Sequence, residues 1–229
     1  NNGTLYSESL AAGKYHLIGN PYPSALSIDA LISGNTVLNG TIYLWTHNTA
    51  VNPVGNYDYD QNDYASYNLS GSVTTAKSAK SDPGHSDNPA SDMGVKPTGF
   101  IGAGQAFFVS AKNTGQVVFN NSMRYGGTNN SQFFKSGETS KENVLEKNRV
   151  WLNMTNTDGI FKQLLVGHIE GATNNYENRY DGVSFDGNPY LDFYSMISTS
   201  KFVIQDRALP LVDTDIVPLG YRTTIAGEC

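Results

Sequence analysis

One cysteine, Cys229, stands at the end of this 229-residue chain, so no disulfide can form within it. It reads as a cut end of a longer chain, with an attachment point and an intermolecular bridge as open alternatives. Charge is also scarce. Only 16% of residues are charged, against about 25% in an average soluble domain, and Asn, Ser, Thr and Gly fill the polar role instead. Net charge is -6, and neither half of the chain carries a basic stripe, which argues against nucleic acid as a partner. No apolar run approaches the roughly 20 residues that a membrane-spanning helix needs. No leader is visible, but Asn1 is not an initiator Met, so a mature or excised fragment is expected.

What is abundant points to strands. There are 14 Tyr, 10 Phe and 23 Gly, with few long amphipathic patterns. Strands are expected over 14–18, 41–46, 106–110, 116–120, 149–154, 161–169, 192–195, 201–205 and 221–226, each bounded by Asn, Asp, Gly or Pro turns. A short helical turn is expected over Ser27–Ile32, with Ser27 as its N-cap. Residues 48–97 form a long polar excursion, pinned where Tyr64–Leu69 pairs as an edge strand. The fold class read from this pattern is all-β, with two jelly-roll-like β-sandwich lobes. The first lobe covers 1–127 and carries the long polar loop; 128–148 is a linker and 149–229 the second lobe.

Three clusters stand out: Leu17-Ile18-Gly19-Asn20-Pro21-Tyr22-Pro23-Ser24; Gly104-Gln105-Ala106-Phe107-Phe108-Val109, followed by Phe119-Asn120-Asn121-Ser122-Met123-Arg124; and Val217-Pro218-Leu219-Gly220-Tyr221. With Thr41–Trp45, Arg149–Asn153 and Asp192–Ser195, they occur in an order that resembles secreted cell-surface proteins of Bacteroidetes. The similar region is the β-rich one before the C-terminal sorting domain of adhesin-like flavobacterial proteins, and the similarity runs over about residues 14–228. The resemblance implies export by the type IX secretion system and a secreted or cell-surface location. It also implies that the secretion machinery is engaged through a sorting domain missing from this chain. It carries over no catalytic residue.

The residues themselves offer little catalytic chemistry. There is no Gly-x-Ser-x-Gly elbow, and His16, His47, His85 and His168 lack the spacing of a helical zinc pair. His16 and His168 read as pleat-facing strand residues. Asp58, Asp60 and Asn62, with Asp63, alternate oxygen ligands as a calcium loop does, because a hard cation takes several carboxylates and carbonyls. The glycine and glutamate of the standard loop are replaced by Asp63 and Leu69, and a solvated loop held by Asx turns is the alternative. Tyr57, Tyr59 and Tyr64 could present apolar ring faces to a sugar, the alternative being ordinary anchors that pack on the sheet.

The function expected is a non-catalytic stalk or adhesion segment of a larger surface protein, with a surface polysaccharide or another cell-surface protein as partner. No cofactor is required on this reading. A carbohydrate-binding module stabilised by Ca2+ is one alternative. An accessory domain of a secreted hydrolase is another.

Overall fold

Alternating β-branched and aromatic residues become strands in the computed structural model, which describes residues 5–46, 64–75, 96–125, 147–155, 161–185 and 191–224. The N-terminal half holds β1 (Tyr6–Leu10), β2 (Tyr15–Gly19), β3 (Ala25–Ser27), α1 (Ile28–Gly34), β4 (Leu38–Trp45), β5 (Tyr64–Tyr67), β6 (Ser72–Val73), β7 (Phe100–Ile101), β8 (Ala106–Ala111), β9 (Gly115–Phe119) and β10 (Arg124–Tyr125). Its main sheet is antiparallel, in the order β2-β8-β4-β5-β6. The pair β1-β9 and the small sheet β10-β3-β7 flank it.

The core of this half lies between α1 and the main sheet. Ile28, Leu31 and Ile32 of α1 join Ile18, Ile42, Leu44, Phe107 and Val109 in one buried cluster, which β9 completes with Val117 and Phe119. The helix starts where the sequence places it: Ser27 Oγ accepts the Ala30 N–H at 3.3 Å, satisfying one of the orphan donors of the first turn. At the other end the buried Asn35 side chain donates to Leu31 O and Val118 O, and accepts from Val118 N–H at 2.7 Å. One amide thereby caps the helix and ties it to β9.

The C-terminal half is a second sheet, built from β11 (Lys147–Thr155), β12 (Phe161–Ile169), β13 (Gly182–Val183), β14 (Leu191–Ile197), β15 (Ser200–Arg207) and β16 (Leu219–Thr223). Its order is β11-β12-β15-β14-β16, with β13 also paired to β15. The all-β class read from sequence is therefore the observed one. Some details differ. Tyr64–Tyr67 is not the edge strand expected, because the two-residue β6 pairs outside it. The β12–β15 pair is parallel, since β13 and β14 intervene in the chain before β15 arrives beside β12. Strands β1, β3, β6, β7, β10 and β13 go beyond the expected set; five of them are only two or three residues long, too short to show a period. Most of 48–97 and of 128–148 lies outside the described residues.

The turn between β5 and β6 joins the halves. Lys147, Arg149 and Trp151 alternate along one face of β11 and donate in sequence to Leu69 O (2.9 Å), Ser70 O (3.2 Å) and Ser72 O (3.0 Å). From the same turn, Asn68 Nδ2 and Ser70 Oγ both donate to Tyr180 O at 2.8 Å. Val73 then enters an apolar cluster with Leu165, Val203 and Ile204.

Candidate functional site

The face of the main sheet opposite α1 carries aromatic rings. Tyr43 is buried there, and Phe185, from the segment after β13, packs against Tyr15 (5.1 Å between centroids, 89°), Tyr43 (5.6 Å) and Tyr64 (5.8 Å). Tyr64 also meets Phe108 edge-on at 5.5 Å. Such tilted and edge-to-face pairs suit the ring quadrupoles and contribute about 1 kcal/mol each beyond area burial. Beside this cluster is a cavity of about 40 Å³. Its aromatic walls are Tyr64, Phe161 and Phe185, and its polar groups come from Ser66, Thr74, Thr75, Lys162 and Gln163. The space is partly open and takes a few waters at most, one water needing about 10–15 Å³ of such space. A saccharide ring would have to be met at its mouth.

Several polar groups are held firmly around this cavity. Gln163 donates to Asn153 Oδ1 at 2.7 Å and accepts from the Thr74 N–H at 3.2 Å, linking β11, β12 and the end of β6. Lys162 reaches Asp192 Oδ1 at 3.4 Å, and Lys201 reaches Oδ2 of the same carboxylate at 3.4 Å. Asp192 is fully buried and also accepts from Ser184 Oγ at 3.1 Å, so both its oxygens are partnered.

A second polar cluster lies where the β5–β6 turn meets the C-terminal sheet. Asp181 and Asp206 are each 1% exposed. Asp181 accepts from Glu177 N–H (2.7 Å) and from Asp206 N–H (2.9 Å), the turn-capping behaviour expected of Asp in such contexts. Burial pushes its carboxyl up to about 6, against those two backbone bonds. The Asp206 carboxyl oxygens have no hydrogen-bond partner. Burial, and then the neighbouring Asp181 charge, push Asp206 up to about 8, while Lys147 and Arg149 pull the other way.

A third cluster pins the segment before β16. Asp215 Oδ2 accepts from Arg207 Nε at 2.7 Å and lies 2.6 Å from His168 Nε2, while Arg207 Nη2 pairs with Oδ1. The Arg207 hydrogen bonds, followed by the one from His168, hold Asp215 down to about 2. His168 and Arg207 sit side by side in the parallel β12–β15 register, so this imidazole is a strand residue tied to a loop. His16 likewise faces its own neighbourhood, accepting from the Ala11 N–H at 3.0 Å.

Of the residues singled out from sequence, Tyr64 lies half-buried at the cavity, its ring meeting Phe108 from the N-terminal half and Phe185 from the C-terminal half. Tyr57, Tyr59, Asp58, Asp60, Asn62 and Asp63 lie outside the described residues, as do His47 and His85. Among the described residues no group of three or more His, Cys, Asp or Glu is placed to hold a metal ion. Sequence reasoning did not single out Asp206 or Asp215; it met Asp181 only in an oxygen-rich stretch running to Asn188, weighed there as a second, weak calcium candidate, and Asp192 only as the start of a strand. The one available signal was an Asp between apolar strand residues, as Asp192 stands between Leu191 and Phe193; Asp206, between Gln205 and Arg207, gave none.

No helix among the described residues is long and apolar enough to cross a membrane. Comparison with known proteins finds no matching curated protein and no matching solved structure. A family model does match, over residues 1–229: the chain belongs to the family described as a domain of unknown function, DUF8693.

Proposed function

We propose that this domain is a non-catalytic stalk or adhesion segment of a larger surface protein, secreted by the type IX route and displayed outside the cell. The observation that carries the reading is the row Lys147, Arg149 and Trp151, bonded in order to the carbonyls of Leu69, Ser70 and Ser72. Bonds aligned in series along one strand couple the two halves, so that load on either passes through several groups together. Low charge and a polar, amide-rich exterior suit an extracellular setting, and the sequence resemblance supplies the export route. In single-molecule stretching between the chain ends, a stalk gives one cooperative rupture that Arg149→Ala and Trp151→Ala weaken. Two independent low-force events would overturn it. Adhesion is tested with protein-coated beads on bacterial and glycan-coated surfaces, where retention equal to bare beads would remove that role. Export is tested in a flavobacterial host: surface display of the whole protein that persists without the type IX machinery would refute the route.

A carbohydrate-binding role is the second reading, favoured by the aromatic and polar groups that line one cavity: Tyr64, Phe161 and Phe185 with Ser66, Lys162 and Gln163. Polysaccharide affinity gels should then retard the protein, and Tyr64→Ala should abolish the retardation while melting remains cooperative. Equal mobility with and without polysaccharide would dismiss it.

A further inference from the structure

We propose that docking of the Asn68–Gly71 turn onto the C-terminal sheet is proton-linked: it is tightest when Asp206 carries a proton and loosens when that carboxyl ionises. The geometry begins with the strand register. Arg149 pairs with Gly167 across β11–β12, and Gly167 pairs with Asp206 across β12–β15, so the three lie abreast and face the same way. Gly167 has no side chain, and the Asp206 carboxyl occupies the space above it, so close that a Cβ there would lie 2.1 Å from Oδ1. The face that carries Asp206 is the one covered by the β5–β6 turn, because Lys147 and Arg149 on that face bond to Leu69 O and Ser70 O. Both cations near the carboxyl are therefore engaged with the turn, and both Asp206 oxygens are buried without a partner.

The charges around Asp206 come from three elements. Lys147 and Arg149 approach from β11, Asp181 and Glu177 from the segment before β13, and Asp29 of α1 acts on Lys147. Tyr176, in that same segment, feels Asp181. The turn itself offers carbonyls, a side-chain amide and a hydroxyl. His168 and Arg207 are tied to Asp215 on the opposite side of the sheet. In the closed junction Asp206 holds its proton up to about pH 8. Opening admits water and returns the carboxyl towards its ordinary value of 3.8. A raised folded pKa favours the closed form at low pH, and that advantage is lost as pH rises towards about 8. Between about 6 and 8 each opening releases one proton, so the opening constant should rise about tenfold per pH unit and level off above. Below about 6, Asp181 adds a second proton to the linkage.

Hydrogen exchange at Leu69 reads this equilibrium, since its N–H bonds to Arg179 O across the junction. After correction for intrinsic base-catalysed exchange, protection at this amide should fall about tenfold per pH unit between pH 6 and 8. Asp206→Asn, an uncharged mimic of the protonated acid, should flatten that dependence and keep the protection seen at pH 6. PH-independent protection in the parent, or an unchanged slope in the variant, would overturn the proposal. A carboxyl 13C titration of the unsubstituted protein provides a check free of any folding defect. A midpoint near 8 for Asp206 supports the linkage, and one below about 5 ends it.

Discussion

The Asp206 carboxyl lies over Gly167, the residue paired with it on the neighbouring parallel strand, so that the side chain of one uses the room the other leaves. A methyl group on Gly167 would meet Oδ1 at 2.1 Å and Cγ at 3.3 Å. The carboxyl is buried on all sides, so it must be displaced or the strands must part. Gly167→Ala is expected to cost about 2 kcal/mol in urea unfolding, as overpacking of a filled interior does. A stability equal to the parent would mean that Asp206 has somewhere else to go.

Gly40 makes a closer and stiffer contact. It adopts φ +74°, which a side chain disfavours, and a Cβ there would lie 2.0 Å from Asn178 O and 2.9 Å from Arg179 Cα. Backbone of the C-terminal half is thus pressed onto β4 at the one point where β4 has nothing to obstruct it. Strain and overlap add, and Gly40→Ala should lose about 3 kcal/mol or more. Because the contact crosses between the halves, exchange protection should fall at Leu69, whose N–H bonds to Arg179 O, as well as at residue 40. Loss confined to β4 would show that the junction does not depend on it.

Asn20 ties together two stretches far apart in sequence. Its side-chain amide donates to Ser24 O (2.8 Å), Ile101 O (3.2 Å) and Gly102 O (3.0 Å), and its oxygen accepts from Tyr22 N–H (3.0 Å). The residue is 5% exposed, so Asn20→Ala leaves carbonyls without donors away from water. A loss of about 3 kcal/mol is expected from such unmade bonds, measured by chemical denaturation. Asn20→Asp, which retains the acceptor but no donor, should recover little of it.

That tie shows how far the sequence could be read. The stretches Tyr15–Ser24 and Gly99–Val109 announce themselves as strands and turns, because β-branched and aromatic residues alternate and Gly, Asn and Pro stop them. The Ser27 cap is equally local and was legible. The role of Asn20 was not, because two of its partners, Ile101 and Gly102, lie 81 and 82 positions away and any turn of this composition carries an Asn. The parallel β12–β15 pairing is also non-local: each strand reads the same whichever neighbour it takes. Tyr64 was picked out as a possible sugar contact from the company of other tyrosines. Its packing against Phe185 depends on how the two halves meet. Asp206 shows the same limit, since an Asp beside Gln205 and Arg207 in a mixed strand looks ordinary, and nothing local reveals that Gly167, two cations and a turn surround it.

The acid limb of stability should belong largely to Asp215. Arg207, with His168, holds its carboxyl at about 2, below the ordinary 3.8. A depressed folded pKa stabilises the native state in full above the unfolded value, and the contribution disappears as pH falls from about 4 to 2. Asp215→Asn removes the charge that both partners address. At pH 7 the variant should be less stable by about 2 kcal/mol, the scale of hydrogen bonds to a charged group. At pH 2 parent and variant should nearly converge, because the parent carboxylate is by then about half protonated and its contribution has shrunk to a few tenths of a kcal/mol. Melting temperatures measured from pH 7 to pH 2 test both ends, and curves that stay parallel throughout would assign acid sensitivity to other carboxylates. Asp192, held between Lys162 and Lys201, would then be the next to substitute.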